Sequence, residues 1–206
     1  MKKRIKVGFD CDGVQFDFGL AYSTIMRELY GDKMPLIHDM DPRVTHWAWE
    51  KWYPATAEQL EKGWDKLKAT ENFWEYVPII HPVLLKALIS CIDMHGGIQV
   101  YHITAREESI GNTLERQTIN ALKKAGWTDP QVLVTFKKGP LAAALDLDFL
   151  VDDNTQNCLE VSIDSSNTKV YLLDKPANRF FQEDRFGIKR VYSLTDYAND
   201  ILKFLV

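Results

Sequence analysis

The chain has 206 residues, of which 46% are hydrophobic and 26% charged, with a formal net charge of −4. This composition is typical of a globular protein with one sizeable core and a modest insertion. Its acidic balance is unlike that of proteins that coat nucleic acid, so no stable nucleic-acid binding is expected. No apolar run approaches the roughly 18 residues of a membrane span, so no membrane segment is expected either.

The cysteines and the first residues predict the compartment. Cys11, Cys91 and Cys158 are an odd number, widely separated and without the spacing of metal ligands, which is typical of reduced thiols. The basic start Met1-Lys2-Lys3-Arg4 is followed by too short an apolar stretch for a secretory signal. We therefore expect a cytoplasmic protein.

In chain order, short apolar runs predict strands at residues 5–9, 98–103, 132–136, 149–151 and 169–173. Helical patterns are predicted at residues 82–94, 107–125, 140–145 and 155–163. Strands that alternate with helices predict a Rossmann-like, three-layer α/β/α fold with a mainly parallel sheet. In such a sheet the ligand lies beyond the carboxyl ends of the strands.

Residues 16–77 interrupt this alternation. They are rich in aromatic residues, and their helical patterns have no strand between them. We predict a small helical cap at 16–77, inserted after the first strand into an α/β core made of residues 1–15 and 78–206. Trp49, Trp52 and Trp64 are predicted to pack the cap's own small core.

Polar side chains follow four predicted strands where each strand ends: Asp10 and Asp12, then Thr104, then Lys138, then Asp152 and Asp153. Carboxylates around one point repel each other, so a cation would hold them ionised, and hard oxygen ligands favour Mg²⁺. A carboxylate can attack phosphorus while a second one transfers the proton. Each feature alone also fits a loop acid, a helix cap or a surface lysine, but their shared place after strands favours a site.

In this order the motifs resemble those of the haloacid dehalogenase-like hydrolase superfamily. Asp10-Cys11-Asp12-Gly13-Val14 is similar to its first motif, Ile103-Thr104-Ala105-Arg106 to its second, Lys138 to its third and Asp152-Asp153 to its fourth. The resemblance implies a nucleophile at Asp10 and a general acid/base at Asp12, an acid that dehalogenase members lack. It also implies Mg²⁺ bound by Asp10, the Asp12 carbonyl and Asp152 or Asp153, and a phosphoryl group bound by Thr104, Ala105 and Lys138.

Within the superfamily, the opening from Asp10 to Phe18 resembles that of the 5'(3')-deoxyribonucleotidases, the 5'-nucleotidase type C family. This likeness implies that Phe18 and Trp47 face a nucleobase. Those enzymes carry a Thr-Ser-Pro type second motif, whereas this chain has Thr104-Ala105-Arg106, which adds Arg106 as a candidate for substrate contact.

The leading hypothesis is a Mg²⁺-dependent phosphatase for a small phosphomonoester, with a nucleoside monophosphate as its substrate. Three alternatives stay open: a phosphatase for another small phosphoester such as a sugar phosphate, a polynucleotide end phosphatase, and a non-catalytic binding module. The last fits least well because neither the nucleophile nor any metal aspartate is missing. A homodimer is compatible with the sequence.

Overall fold

The computed structural model describes residues 4–204. Residues 1–3 and 205–206, the two ends of the predicted core, lie outside this range. The strands are β1 (Ile5–Phe9), β2 (Ile98–Thr104), β3 (Gln131–Val134), β4 (Phe149–Asp152), β5 (Lys169–Leu173) and β6 (Lys189–Val191). They form one sheet in the order β3-β2-β1-β4-β5-β6, and every neighbouring pair is parallel. The strand order reverses between β1 and β4, where open α/β sheets place their ligands.

The helices are α1 (Phe18–Tyr30), α2 (Ala57–Lys68), α3 (Pro82–His95), α4 (Leu114–Ala125), α5 (Lys138–Leu145), α6 (Thr155–Asp164) and α7 (Leu194–Leu202). Alternate residues of the buried strands face two separate apolar clusters, since side chains point to opposite faces along a strand. Val151 packs with α3, α4 and α7 on one face, and Leu150 packs with α5 and α6 on the other. The predicted three-layer α/β/α fold is confirmed.

One predicted helix boundary is wrong. The helix expected over residues 107–125 begins only at Leu114, with the Thr113 side chain accepting a hydrogen bond from the Arg116 N–H as its N-cap. The loop before Leu114 is hydrogen-bonded to the end of α2 and the chain just after it. Ile110 N–H donates to the Lys68 carbonyl, and Asn72 N–H donates to the Ile110 carbonyl. These tertiary contacts override the helical pattern of the sequence. Strand β6 and helix α7 lie beyond the predicted elements.

The segment between β1 and α3 contains α1, α2 and three single 3₁₀ turns, and its described residues form no strand. Helices α1 and α2 pack closely, with the Tyr22 hydroxyl donating to the Leu60 carbonyl at 2.8 Å. Gly63 permits this approach, because a Cβ there would lie 2.5 Å from the Met26 sulfur. The segment contains two helices, while its role as a separate cap with boundaries at 16 and 77 stays a prediction.

None of the helices in residues 4–204 is both long and apolar enough to cross a membrane.

Candidate active site

Two aspartates lie at the carboxyl ends of β1 and β4, and a lysine from the start of α5 lies between them. Asp10 follows β1 and stays in the ladder through its N–H, which donates to the Val151 carbonyl at 2.9 Å. Lys138, the first residue of α5, is buried, and its Nζ donates to Asp10 Oδ1 at 2.5 Å and to Asp152 Oδ2 at 2.6 Å. One ammonium therefore holds the carboxylates that end two adjacent strands.

Asp10, Asp152 and Asp153 fit a divalent cation. Each offers a carboxylate oxygen, and these oxygens lie within 4.8 Å of one another. Burial raises the pKa of both Asp10 and Asp153, although the Lys138 ammonium opposes this rise at Asp10. A bound cation would reverse these shifts, and carboxylate oxygens are the ligands that Mg²⁺ prefers.

Asp152 and Asp153 differ in whether they have an oxygen free for a cation. Both oxygens of Asp152 already accept hydrogen bonds, Oδ2 from Lys138 and Oδ1 from the Asn154 N–H at 2.8 Å. Asp153 Oδ2 is buried and has no hydrogen-bond partner within residues 4–204. Gly13 makes room for it: with φ at +77°, a Cβ at Gly13 would lie 1.9 Å from Asp153 Oδ2. The geometry therefore favours Asp153 as the direct ligand, with Asp152 holding Lys138.

Thr104 is the last residue of β2 and lines the same space. The side chain is buried, and Oγ1 has no hydrogen-bond partner among the described residues. Ala105 lies beside it on the surface of the same cavity. Because the next helix begins ten residues later, at Leu114, Thr104 does not cap it. Its hydroxyl is thus available to a ligand.

Asp12 and Arg106 form an ion pair beside the aspartate cluster. Arg106 Nε and Nη2 each donate to one Asp12 oxygen at 2.7 Å, while Nη1 donates to Thr118 Oγ1 at 2.9 Å. The Arg106 side chain is 0% exposed, whereas that of Asp12 is 21% exposed. A contact between Arg106 and substrate, as the sequence suggested, would require Asp12 to give up this partner. Arg106 is therefore placed behind Asp12 and not at the surface of the cavity.

These side chains border a cavity of about 400 Å³. Its charged and polar base, called the floor below, consists of Asp10, Asp12, Thr104, Lys138 and Asp153. The opposite side, called the wall, comes from the segment between β1 and α3 and consists of Phe18, Asp39, Trp47, Trp49, Trp52 and Trp64. The structure thus brings the predicted floor residues together with Phe18 and Trp47.

The wall tryptophans differ in how they are held. Trp49 packs edge-on against Tyr22 and Tyr53, with ring centroids 4.7 and 4.8 Å apart. Trp64 stacks on Phe18 at 5.6 Å. The packing role predicted for Trp49, Trp52 and Trp64 therefore holds, and all three also line the cavity. Trp47 is different: its Nε1 is buried and has no hydrogen-bond partner within the described chain.

Two residues near the cavity were missed by the sequence reasoning. Asp39 Oδ1 accepts from the Gly19 N–H at 2.9 Å, but Oδ2 is buried without a partner in residues 4–204. Burial, reinforced by Asp17, raises the pKa of Asp39 to about 7. Lys175 is fully buried, and its positive charge partly opposes the rise in the pKa of Asp39 and of Asp153 that burial causes. The sequence could have identified Lys175, because it lies two residues after β5 and is polar, as the floor residues are near the ends of their strands. No comparable pattern surrounds Asp39.

A buried network of side-chain hydrogen bonds fixes the backbone carbonyl of Asp10. Gln15 Nε2 donates to the Asp10 carbonyl at 2.9 Å and lies 3.1 Å from His102 Nδ1, while Trp127 Nε1 donates to Gln15 Oε1 at 2.9 Å. Burial lowers the pKa of His102 to about 3, so this imidazole is neutral. His102 is a core residue, without a metal-binding role in this network.

Neither a family model nor a curated protein sequence matches the chain. Solved structures do match over nearly the full length. A haloacid dehalogenase family hydrolase from Deinococcus radiodurans R1, with bound phosphate and sodium, has a TM-score of 0.60 at 12% identity, covering 100% of this chain and 97% of that one.

Two further matches carry different activities in their names. A predicted phosphatase from Clostridium acetobutylicum has a TM-score of 0.57 at 13% identity, covering 98% of this chain and 100% of that one. An L-2-haloacid dehalogenase has a TM-score of 0.54 at 13% identity, covering 97% and 99%. At such low identity these likenesses establish the architecture and leave the reaction open. The chain has the fold of the haloacid dehalogenase-like hydrolases.

Proposed function

We propose that this protein is a Mg²⁺-dependent phosphatase that hydrolyses a small phosphomonoester through an aspartyl-phosphate on Asp10. One observation carries the proposal: Asp10 lies at the floor of a cavity, held by Lys138, with a second carboxylate two residues further on at the same floor. Asp12 is the residue that distinguishes this reaction from dehalogenation, because protonation of a leaving oxygen requires an acid.

In the first step, an Asp10 oxygen attacks phosphorus and the bond from phosphorus to the leaving oxygen breaks. Asp12, as the carboxylic acid, gives its proton to that oxygen. In the second step, water attacks the phosphorus of the aspartyl-phosphate and Asp12, now a carboxylate, takes its proton. The bond from phosphorus to Asp10 breaks, which releases phosphate and restores both side chains.

The floor also supplies charge stabilisation. We infer that Lys138 Nζ, Thr104 Oγ1 and the backbone of Ala105 bind the phosphoryl oxygens, whose charge is spread in the transition state. Their place on the surface of the cavity supports this role. Mg²⁺ bound at Asp10, Asp153 and the Asp12 carbonyl would neutralise further negative charge there. Since Asp10 and Asp153 are buried and their pKa values are raised, a cation is also what would keep the nucleophile ionised.

The wall supports a nucleoside monophosphate as the substrate. A planar nucleobase can stack on Phe18 or Trp47, and such stacking contributes about 1–3 kcal/mol per base. The cavity volume of about 400 Å³ is within the usual range for small-ligand sites. A deoxynucleoside monophosphate is therefore the preferred substrate class, in the manner of a 5'(3')-deoxyribonucleotidase.

A second candidate is a sugar phosphate. Asp39 Oδ2 and Trp47 Nε1 are buried polar atoms without partners in residues 4–204, and both residues line the cavity. An acceptor and a donor in these positions suit the hydroxyl groups of a sugar as well as the edge of a base. The aromatic character of the remaining wall is what favours the nucleotide over the sugar.

A panel of phosphorylated metabolites, assayed with and without Mg²⁺, tests the proposal. We expect Mg²⁺-dependent phosphate release, with kcat/KM highest for nucleoside monophosphates. Asp10→Asn should abolish release from every substrate, while the matched change Asp93→Asn, at an exposed position of α3, should not. Turnover of sugar phosphates alone would replace the substrate assignment, and undiminished activity of Asp10→Asn would refute the mechanism.

A further inference from the structure

We propose that Arg106 is a positioning residue, which holds the Asp12 carboxyl in the orientation needed to protonate the leaving group. The inference rests on the proposed function, in which Asp12 is the general acid. It differs from the role that the sequence suggested for Arg106, because the guanidinium faces Asp12 and has no exposed surface of its own.

The contact has the geometry of a two-point clamp. Two parallel N–H groups of Arg106 reach the two oxygens of Asp12, each at 2.7 Å. A pair of this kind fixes the plane of the carboxyl as well as its distance, which a single ammonium contact does not do. An ionised carboxyl group has about four acceptor positions, so while Arg106 occupies two of them, one of the other two can carry the proton that Asp12 gives up.

The clamp itself is held on several sides. Nη1 of Arg106 donates to Thr118 Oγ1 at 2.9 Å, on helix α4. The guanidinium lies over the Trp74 ring at 4.6 Å and over the Phe16 ring at 5.4 Å. Trp74 in turn donates from Nε1 to the Glu107 carbonyl at 2.8 Å, which ties down the loop just after Arg106. Arg106 therefore has little freedom to move away from Asp12.

The exposure of the pair is one-sided, which argues for a role beyond folding. Asp12 retains exposed surface and borders the cavity, whereas Arg106 is enclosed behind it. Buried ion pairs add little net stability, because the desolvation cost offsets the attraction. A pair with one oxygen-bearing face open to the floor is suited to orienting that face toward a ligand.

The dependence of kcat/KM on the leaving group tests this role. An aryl phosphate such as p-nitrophenyl phosphate has a leaving group that departs without much protonation, whereas an alkyl phosphate needs the acid. The kcat/KM ratio reports the first chemical step, in which Asp12 gives up its proton. We expect Arg106→Met to lower kcat/KM for alkyl phosphates by about 10²-fold, the lower end of general-acid effects, and much less for the aryl ester.

Two further variants separate positioning from folding. Arg106→Lys keeps the charge but makes only one contact, so kcat/KM for alkyl phosphates should lie between those of the wild type and Arg106→Met. If Arg106→Met does not fold, the leaving-group dependence of Arg106→Lys tests the positioning role instead. In an Asp12→Asn background the acid is already lost, so adding Arg106→Met should not steepen the leaving-group dependence further.

An equal loss for all leaving groups would overturn the inference and leave Arg106 with a structural role only. That result differs from failure of the proposed function, which would appear as a wild-type enzyme that releases phosphate from none of these esters. The aryl substrate is thus the internal control, because partial unfolding lowers kcat/KM for every ester by the same factor.

Discussion

The floor and the wall of the cavity are built in different ways. Floor residues follow strands of one parallel sheet, and Asp10, Asp12 and Lys138 are each fixed by an oppositely charged partner. The wall comes from helices and irregular chain, and it offers mainly aromatic faces. The difference suggests a division of labour in which the floor performs the reaction and the wall selects the leaving group.

This division makes changes to the floor and to the wall distinguishable. A floor variant should lose activity toward every phosphoester, because the phosphoryl group is common to all of them. A wall variant should change KM for some leaving groups and spare others.

The largest effect is expected at the metal cluster. Asp153→Asn replaces the proposed anionic ligand by a neutral one, so kcat at a fixed Mg²⁺ concentration should fall by more than about 100-fold for all substrates, beyond the roughly 10- to 100-fold typical of outer-shell changes. The increase in Tm on adding Mg²⁺ to the wild type should shrink as well, since binding to the native state stabilises it. Thermal unfolding with and without Mg²⁺ measures this apart from activity. An unchanged Mg²⁺ response would remove Asp153 from the site.

A smaller and selective effect is expected at Trp47. Trp47→Leu removes a stacking surface, so KM for nucleoside monophosphates should rise about 5- to 30-fold, the equivalent of roughly 1–2 kcal/mol. KM for a small alkyl phosphate, which has no planar group, should change little. The matched variant Trp49→Leu loses ring contacts with Tyr22 and Tyr53 and should mainly lower Tm. Equal behaviour of the two variants would contradict the distinction between them.

The smallest effect is expected at Asp39 and concerns stability against pH. Burial raises its pKa in the folded protein to about 7, well above the ordinary value for an aspartate, so the folded state holds this proton more tightly. Stability conferred by the protonated carboxyl is therefore lost as pH rises from about 4 to 7. Asp39→Asn should be more stable than the wild type by about 1–2 kcal/mol at pH 8, and by less at pH 5.

Urea unfolding of both proteins at the two pH values measures this difference. Equal stabilisation at pH 5 and pH 8 would show that the Asp39 carboxyl does not keep its proton in the folded state.

Most of the floor could be predicted from the sequence because its residues lie at or just beyond the end of an apolar strand, although Lys138 begins α5, four residues after β3. The parallel sheet then brings Asp10, Thr104 and Asp152 to one edge whatever their separation along the chain. The partner of Asp12 could not be predicted in this way. Arg106 lies 94 residues away, just before the predicted helix, and the sequence suggested substrate as its partner and not Asp12.

The wall was predicted in part. Phe18 and Trp47 came from family resemblance, and no periodicity marks Asp39, which lies outside the helices. Strand β6 has only three residues, too few for an alternating pattern to stand out, and α7 follows it directly after a short turn. The positions of Asp39 and of β6 depend on contacts with distant parts of the chain, which a local sequence pattern does not reveal.

The network beneath Asp10 has a consequence for how activity is acquired during folding. Gln15 is joined to His102 and Trp127 across 87 and 112 residues of sequence, so the Asp10 carbonyl is secured only after distant segments have docked. Contacts of this range form late, because closing long loops is entropically costly. If the proposed phosphatase activity holds, its recovery after dilution from denaturant would follow the docking of these segments, which makes turnover a reporter of their native packing.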